Sequence, residues 1–175
     1  FPRSTRGRDG GVLWYCIAVR RTSFADMECS VARTLEVVGE WWTMLVIRES
    51  FNGVRRFDDF QGHLGIARNV LAARLQRLVD HEVLERRQYQ ERPPRWEYRL
   101  TEKGRDLYPV LLSMLAWGDR WTAGEDGPPL KLTHECGHEP DAVLVCSHCG
   151  KKIDARDVHA ERAAGYLVEL PATGG

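Results

Sequence analysis

Apolar residues in the first third of this chain recur at helical spacing. Val31, Ala32, Leu35 and Val38 form one stripe, ended by Gly39. Trp41, Met44 and Leu45, with Arg48, form a second, ended by the turn dipeptide Asn52-Gly53. A short helical pattern opens at Phe57, and the two glycines in Gln61-Gly62-His63-Leu64-Gly65 predict a sharp turn. From Ala67 onward Leu71, Leu75 and Leu78, with Val70 and Val79 beside them, mark one face of a further helix. The period then changes. Trp96, Tyr98 and Leu100 alternate with Arg95, Glu97 and Arg99, as in a half-buried strand, and Leu84 to Tyr89 would pair with it. The turn between them, Gln90-Glu91-Arg92-Pro93-Pro94-Arg95, is stiffened by its prolines. Thr101 precedes Glu102 as a helix cap, and Leu107, Leu111, Met114, Leu115 and Trp121 face one way in the last helical stretch. Pro109 should kink or split that stretch.

Helix, tight turn, helix and β-hairpin in that order predict a mainly α fold with a small β-hairpin wing, a winged helix-turn-helix. Such a plan sets an exposed helix beside a hairpin tip, so that one enters a DNA major groove while the other touches backbone. The second helix presents Arg68, Asn69, Ala72, Ala73, Gln76 and Arg77 opposite its apolar stripe, with no acid on that face before Asp80. Arg reads guanine edges, Asn and Gln read adenine edges, and Ala admits a close backbone or a thymine methyl. Arg92 and Arg95 on the stiff tip would meet phosphates, and Arg56 would touch phosphate near the first helix of the motif. The charge bias is slight: from Ile66 to Trp96 there are seven Arg against four acids. An Arg-bearing amphipathic helix is also what a solvated surface looks like, and winged units also serve as protein-interaction modules without DNA affinity.

The stretch from Cys29 to Trp121 resembles the HxlR-type winged helix-turn-helix regulators, relatives of the MarR group. The phrases VVGEWWTMLVIRE, ARNVLAARLQRLVDHEVL, PPRWEYRLTEKG and LYPVLLSMLAWG carry the resemblance. It implies a small bacterial or archaeal transcription regulator, a repressor, that binds a two-fold symmetric double-stranded DNA site as a homodimer. One departure stands out: family members often open the recognition helix with Ser, and here that place holds Ala67. More large apolar residues lie near 30–38 and 105–121 than one small winged domain covers. Either they form the dimer interface, which the resemblance favours, or they close the monomer's core. In several such regulators a cysteine at the place of Cys29 senses oxidants, and the start of a helix favours a reactive thiolate. The competing reading makes Cys29 a small buried hydrophobe.

Composition changes the picture little. The chain has 175 residues, 43% hydrophobic with six Trp, enough for a real core. The formal net charge is zero, so any attraction to nucleic acid is local. No apolar run reaches the ~20 residues that span a bilayer, and no membrane is expected. The expected location is cytoplasmic. No nucleophile with a paired base, phosphate-cradling loop or open metal site stands out, so an enzyme is not expected.

The domain boundaries expected are 19–122 for the winged DNA-binding and dimerisation domain, 123–132 for a Gly/Pro linker and 133–175 for a zinc-ribbon-like tail. Residues 1–18 read as a leader. Its basic then apolar start resembles the first two parts of a signal peptide, but Arg20-Arg21 follows at once without a cleavage site. Upstream translation or a cloning remnant is expected there, with Val19 or Met27 as the native start, and Cys16 within it is set aside. The tail reads His134-Glu135-Cys136-Gly137-His138, then Cys146-Ser147-His148-Cys149-Gly150. Two thiolates separated by two residues can reach one tetrahedral ion. Cys136, His138, Cys146 and Cys149, with His134 as the alternative fourth ligand, would make a closed structural Zn2+ site. Free thiols, or a redox pair of Cys146 and Cys149, are the alternatives. Some HxlR-like proteins look similar in carrying such a tail. The effector is not legible.

Overall fold

A computed structural model of the chain describes residues 23–24, 27–125 and 127–159. The leader of 1–18 lies outside the described residues. Six α-helices and one two-stranded sheet follow in order: α1 (Ser30–Val38), α2 (Thr43–Phe51), α3 (Phe57–Leu64), α4 (Arg68–Asp80), β1 (Leu84–Gln90), β2 (Arg95–Leu100), α5 (Glu102–Arg105) and α6 (Tyr108–Thr122). The architecture is mostly helical with one antiparallel hairpin, consistent with a winged helix-turn-helix.

The core sits where α2, α3, α4 and the hairpin base meet. Val46, Ile47, Phe60, Leu71, Leu75, Leu78, Val83 and Leu84 are fully enclosed there. The stripe of α4 is therefore the one its spacing predicts. The stripe of α2 is not. Thr43, Val46, Ile47 and Glu49 point inward, while Trp41 is 92% exposed and Arg48 lies at the surface. The one polar residue in the run Trp41 to Ile47, Thr43, is itself buried, so periodicity had no solvent-facing polar position with which to fix the rotation. The turn between α3 and α4 is also shorter than expected. Gln61 to Leu64 stay helical, and the chain breaks only at Gly65 (φ +62), whose N–H closes on the Gln61 carbonyl. Gly62 is tolerated inside the helix because its surroundings are open, and Leu64 continues the helix to pack on the core.

The hairpin pairs Leu84 with Leu100, Arg86 with Tyr98 and Gln88 with Trp96, and an irregularity at Tyr89 brings Gln90 opposite Arg95. The wing is tied to the body in two ways. The Tyr98 N–H donates to the Arg55 carbonyl (2.7 Å), and Arg56 forms a bridge with Glu97. At its base the Thr101 hydroxyl accepts from the Gly104 N–H and donates to the Glu82 carbonyl, so the expected cap is present. Gly104 is held close: a Cβ there would lie 2.2 Å from the Val83 carbonyl oxygen.

Pro109 sits in the first turn of α6, and the expected split falls between α5 and α6. No residue of α6 is fully buried. Val31, Leu35, Trp41, Val110, Met114, Trp117 and Trp121 stand exposed along the first and last helices and the turn after α1. In one chain, then, these residues do not close the core. Beyond α6 the chain returns, and Leu130 and Leu132 line the same cavities as Leu112 and Leu115 of that helix.

Candidate nucleic-acid interface

The solvent face of α4 follows from its register. Leu71, Leu75 and Leu78 turn into the core, which leaves Arg68, Asn69, Ala72, Ala73 and Gln76 exposed on the other side. Ala67 precedes the helix in extended geometry, with no side-chain cap. Arg56 is exposed at the start of α3, its guanidinium stacked 4.8 Å over the Tyr89 ring of β1. Arg92 and Arg95 are exposed at the wing tip and make no ion pair among the described residues.

The arginines of this region divide into two groups. Arg74 donates to Glu40 (2.9 Å), with both side chains largely covered. Arg77, expected on the reading face, is turned the other way. It donates to the Glu36 carbonyl oxygen and, at 2.7 Å, to the Glu36 carboxylate, clamping α4 to α1. At about 100° per residue it falls on the border of the exposed face, and its length lets it reach inward. Arg87 pairs with Glu85 on its own strand, and Arg86 stacks 4.3 Å over Trp96. Arg68 is different again. It meets Asp58 at 3.0 Å, Gln61 at 2.8 Å and the Phe57 ring, but both partners of the ion pair are well exposed. An exposed pair of that kind is worth ~0–1 kcal/mol, so exchanging Asp58 for a base edge costs little. Gln76 donates to Asp80 (2.7 Å), and the Asn69 amide has no partner among the described residues. The stacking of Arg56 on Tyr89 and of Arg86 on Trp96 was missed in the sequence. Alternation pointed to the strands, but the register that makes Arg86 and Trp96 neighbours was not deducible from it.

The tail brings its donors together in pairs. Backbone N–H groups of Cys149 and His148 and the Cys149 thiol all point at the Cys146 sulfur, holding its thiol below the usual range. The Gly150 N–H closes on the Cys146 carbonyl (2.8 Å) with φ +70, which a residue with a side chain rarely adopts. Thirteen residues earlier Gly137, after Cys136, also has positive φ (+85), but its N–H closes on the His134 carbonyl (2.8 Å), a turn one residue tighter. His134 Nδ1 lies 3.2 Å from the Cys136 sulfur and accepts the Cys136 N–H (3.3 Å). His138 Nδ1 faces the Cys136 carbonyl at 3.2 Å, which leaves its Nε2 unengaged. Among the described residues no three His, Cys, Asp or Glu converge on one point. Cys29 stands in extended geometry just before α1 and is exposed, so burial as a small hydrophobe is not its state in this chain.

The sequence of residues 37–126 matches the family model described as HxlR-like helix-turn-helix. An uncharacterised HTH-type transcriptional regulator of Mycobacterium tuberculosis is 46% identical over 145 residues, spanning 82% of this chain and 92% of that one. Among solved structures, PA1607, described as a transcription factor, superposes with TM-score 0.75 at 38% identity and covers 81% of this chain and 100% of its own. The redox regulator HypR in its reduced form gives TM-score 0.50 at 33% identity, over 53% of this chain and 92% of its own. Among the described residues no helix is long and apolar enough to cross a membrane.

Proposed function

The chain belongs to the HxlR-like helix-turn-helix family of transcriptional regulators, and we propose that it is a repressor that binds a two-fold symmetric double-stranded DNA site as a homodimer. The observation that carries this reading is the sorting of arginines. Arg74 and Arg77 are locked onto Glu40 and Glu36, while Asn69, Ala72 and Ala73 stay open beside the unpaired Arg92 and Arg95. Arg68 and Gln76 are exposed and held only by surface contacts to Asp58, Gln61 and Asp80. A surface meant only for solvent has no need of that separation. Arg68, Asn69 and Gln76 read base edges, Ala72 and Ala73 admit the groove wall, and Arg56, Arg92 and Arg95 hold phosphates. The second copy covers the exposed apolar face of α1 and α6, and pairing sets two α4 helices about 34 Å apart, one helical turn of DNA. The test is selection of fragments from the organism's own genome, followed by sedimentation and binding measurements. A symmetric site bound by a dimer is expected. A monomer, or no salt-dependent binding to any fragment, would favour an interaction module without DNA affinity.

Two further roles belong to this reading. In the tail, Cys136, His138, Cys146 and Cys149 hold a structural Zn2+. The N–H groups aimed at the Cys146 sulfur and a positive-φ glycine after both Cys136 and Cys149 support a thiolate–metal knuckle. His138 hydrogen-bonds through Nδ1 alone, which leaves its Nε2 for the ion; His134, which also bonds only through Nδ1, is the alternative fourth ligand. The ion would draw the two turns together and give a short segment its fold. Metal analysis of protein purified without chelator should find one equivalent, and less than about half an equivalent, with the three tail thiols titratable, would remove the site. Cys29, exposed at the edge of the proposed dimer face, is the candidate redox sensor, in keeping with the resemblance to HypR. A Cys29→Ser variant whose DNA binding keeps its full response to oxidant would exclude that role.

A further inference from the structure

One cavity lies away from both the reading face and the tail cysteines. It measures about 310 Å³ and sits between the end of α2, the start of α6 and the returning chain. Its walls are apolar: Leu111, Leu112 and Leu115 from α6, Leu130 and Leu132 opposite, and the tilted Phe51–Tyr108 pair with ring centroids 4.9 Å apart. Two charged side chains, Glu49 and Arg48, and the neutral amide of Asn52 interrupt this lining.

Their hydrogen bonds decide what the cavity accepts. Glu49 is only 6% exposed, yet both its oxygens are taken. Oε1 accepts from Arg48 Nε at 3.0 Å and Nη2 at 2.7 Å, and Oε2 faces His63 Nδ1 at 2.9 Å. The buried carboxylate is therefore satisfied and offers nothing to a cationic ligand. Arg48 is not saturated, because its Nη1 makes no bond among the described residues and the guanidinium is partly open to solvent. An apolar chamber with one spare cationic donor at its edge suits a molecule with a hydrophobic body and one negative group. The volume is at the small end of ligand pockets, enough for one or two rings.

We propose that this cavity binds a small aromatic monocarboxylate, with its rings among the leucines and the Phe51–Tyr108 pair and its carboxylate on Arg48. The same residues supply a route to the DNA-reading helix, a step that rests on the function proposed above. Glu49 joins α2 to His63 of α3, and α3 in turn holds Arg68 of α4 through Phe57, Asp58 and Gln61. A ligand that draws Arg48 toward itself loosens its grip on Glu49 and alters how α3 is held.

Calorimetry of the full-length protein with 2-naphthoate, and with neutral 2-naphthalenemethanol, tests the site without any DNA. One 2-naphthoate per chain is expected. Arg48→Gln should weaken 2-naphthoate by about tenfold or more, the worth of one charge-assisted hydrogen bond, and leave the alcohol unchanged. Leu115→Trp, or Leu112→Phe should that variant fail to fold, fills the chamber and should abolish both. No binding of 2-naphthoate at millimolar concentration, equal binding by Arg48→Gln, or binding that survives a filled chamber would overturn the proposal. In a separate titration 2-naphthoate should shift affinity for the selected DNA, and His63→Ala should bind ligand yet lose that shift. Binding with no shift in DNA affinity would overturn the coupling alone, and the calorimetry stands whether or not the protein binds DNA.

Discussion

Replacing Arg92 with alanine probes the division of the arginines directly. Seven arginines lie between Ile66 and Trp96. Counted without structure, two copies would bring fourteen cations to DNA, and at about 0.9 per phosphate contact log K would fall with log salt at a slope near −13. The fold removes most of them. Arg74 and Arg77 are clamped on α1 and the turn behind it, Arg87 is paired with Glu85, Arg86 lies on Trp96, and Arg68 points to base edges. Arg92 and Arg95 remain for phosphates, and Arg56 from outside that stretch joins them, six in a dimer, so the expected slope is about −5. Between 50 and 200 mM salt the wild type should then lose about two-thousandfold in affinity. Arg92→Ala removes two contacts per dimer, which lowers the slope to about −4 and the loss to about 150-fold, alike for every sequence. Fluorescence anisotropy with a labelled duplex carrying the selected site, over that salt range, reads both values. A wild-type slope near −13 would show that the clamped arginines reach DNA. An unchanged slope in Arg92→Ala would remove the wing from the interface.

Four other outcomes follow from the same geometry. Asn69→Ala should cost ~1–3 kcal/mol of discrimination at one base pair per half-site and little on other sequences, read by selection from randomised duplexes. Leu75→Ala empties a fully enclosed core position and should cost ~2–5 kcal/mol in urea unfolding. Gly104→Ala drives a methyl group into the Val83 carbonyl at the hinge of the wing and should cost ~1–3 kcal/mol by the same assay. Burial raises the Glu49 carboxyl, but hydrogen bonds from His63 and Arg48 and the Arg48 charge outweigh it, leaving it below the ordinary 4.5. Its stabilisation is therefore complete above that pH and lost as pH falls through the depressed folded value. Thermal melts from pH 6 to pH 3 should show a loss of stability that Glu49→Gln reduces.

The parts of this fold that were legible in the sequence are those fixed by nearest neighbours. Leu71, Leu75 and Leu78 announced α4 because small or polar residues separate them, and the alternation around Trp96 and Tyr98 announced the wing. Where local contrast fails, so does the reading. The run from Trp41 to Ile47 is apolar except for Thr43, which is itself buried, so it carries no usable phase, and α2 buries Val46 and Ile47 instead of Trp41. Contacts between distant residues were out of reach for another reason. Arg77 meets Glu36 across 41 residues, and Glu49 meets His63 across 14, yet each looks like an ordinary surface charge in its own segment. The tail donors were visible by spacing alone, but the hydrogen bonds that aim N–H groups at Cys146 depend on how the turn closes.

Under the proposed function, those long-range pairs also account for how a chain with no net charge would serve as a DNA reader. Each clamped arginine spends its charge on an acid of the same chain, so Arg74 with Glu40 and Arg77 with Glu36 contribute cohesion and almost no field. Both pairs join α4 to α1 and the turn that follows it, the region that carries the exposed apolar face. The reading helix is thereby fixed to the surface on which a second copy would pack. With about three proposed phosphate contacts per copy, affinity for arbitrary DNA would stay weak and depend on both copies engaging at once. Discrimination then rests on the spacing between two α4 helices as much as on any base contact. A half-site moved by a few base pairs should lose binding almost as completely as one whose sequence is destroyed.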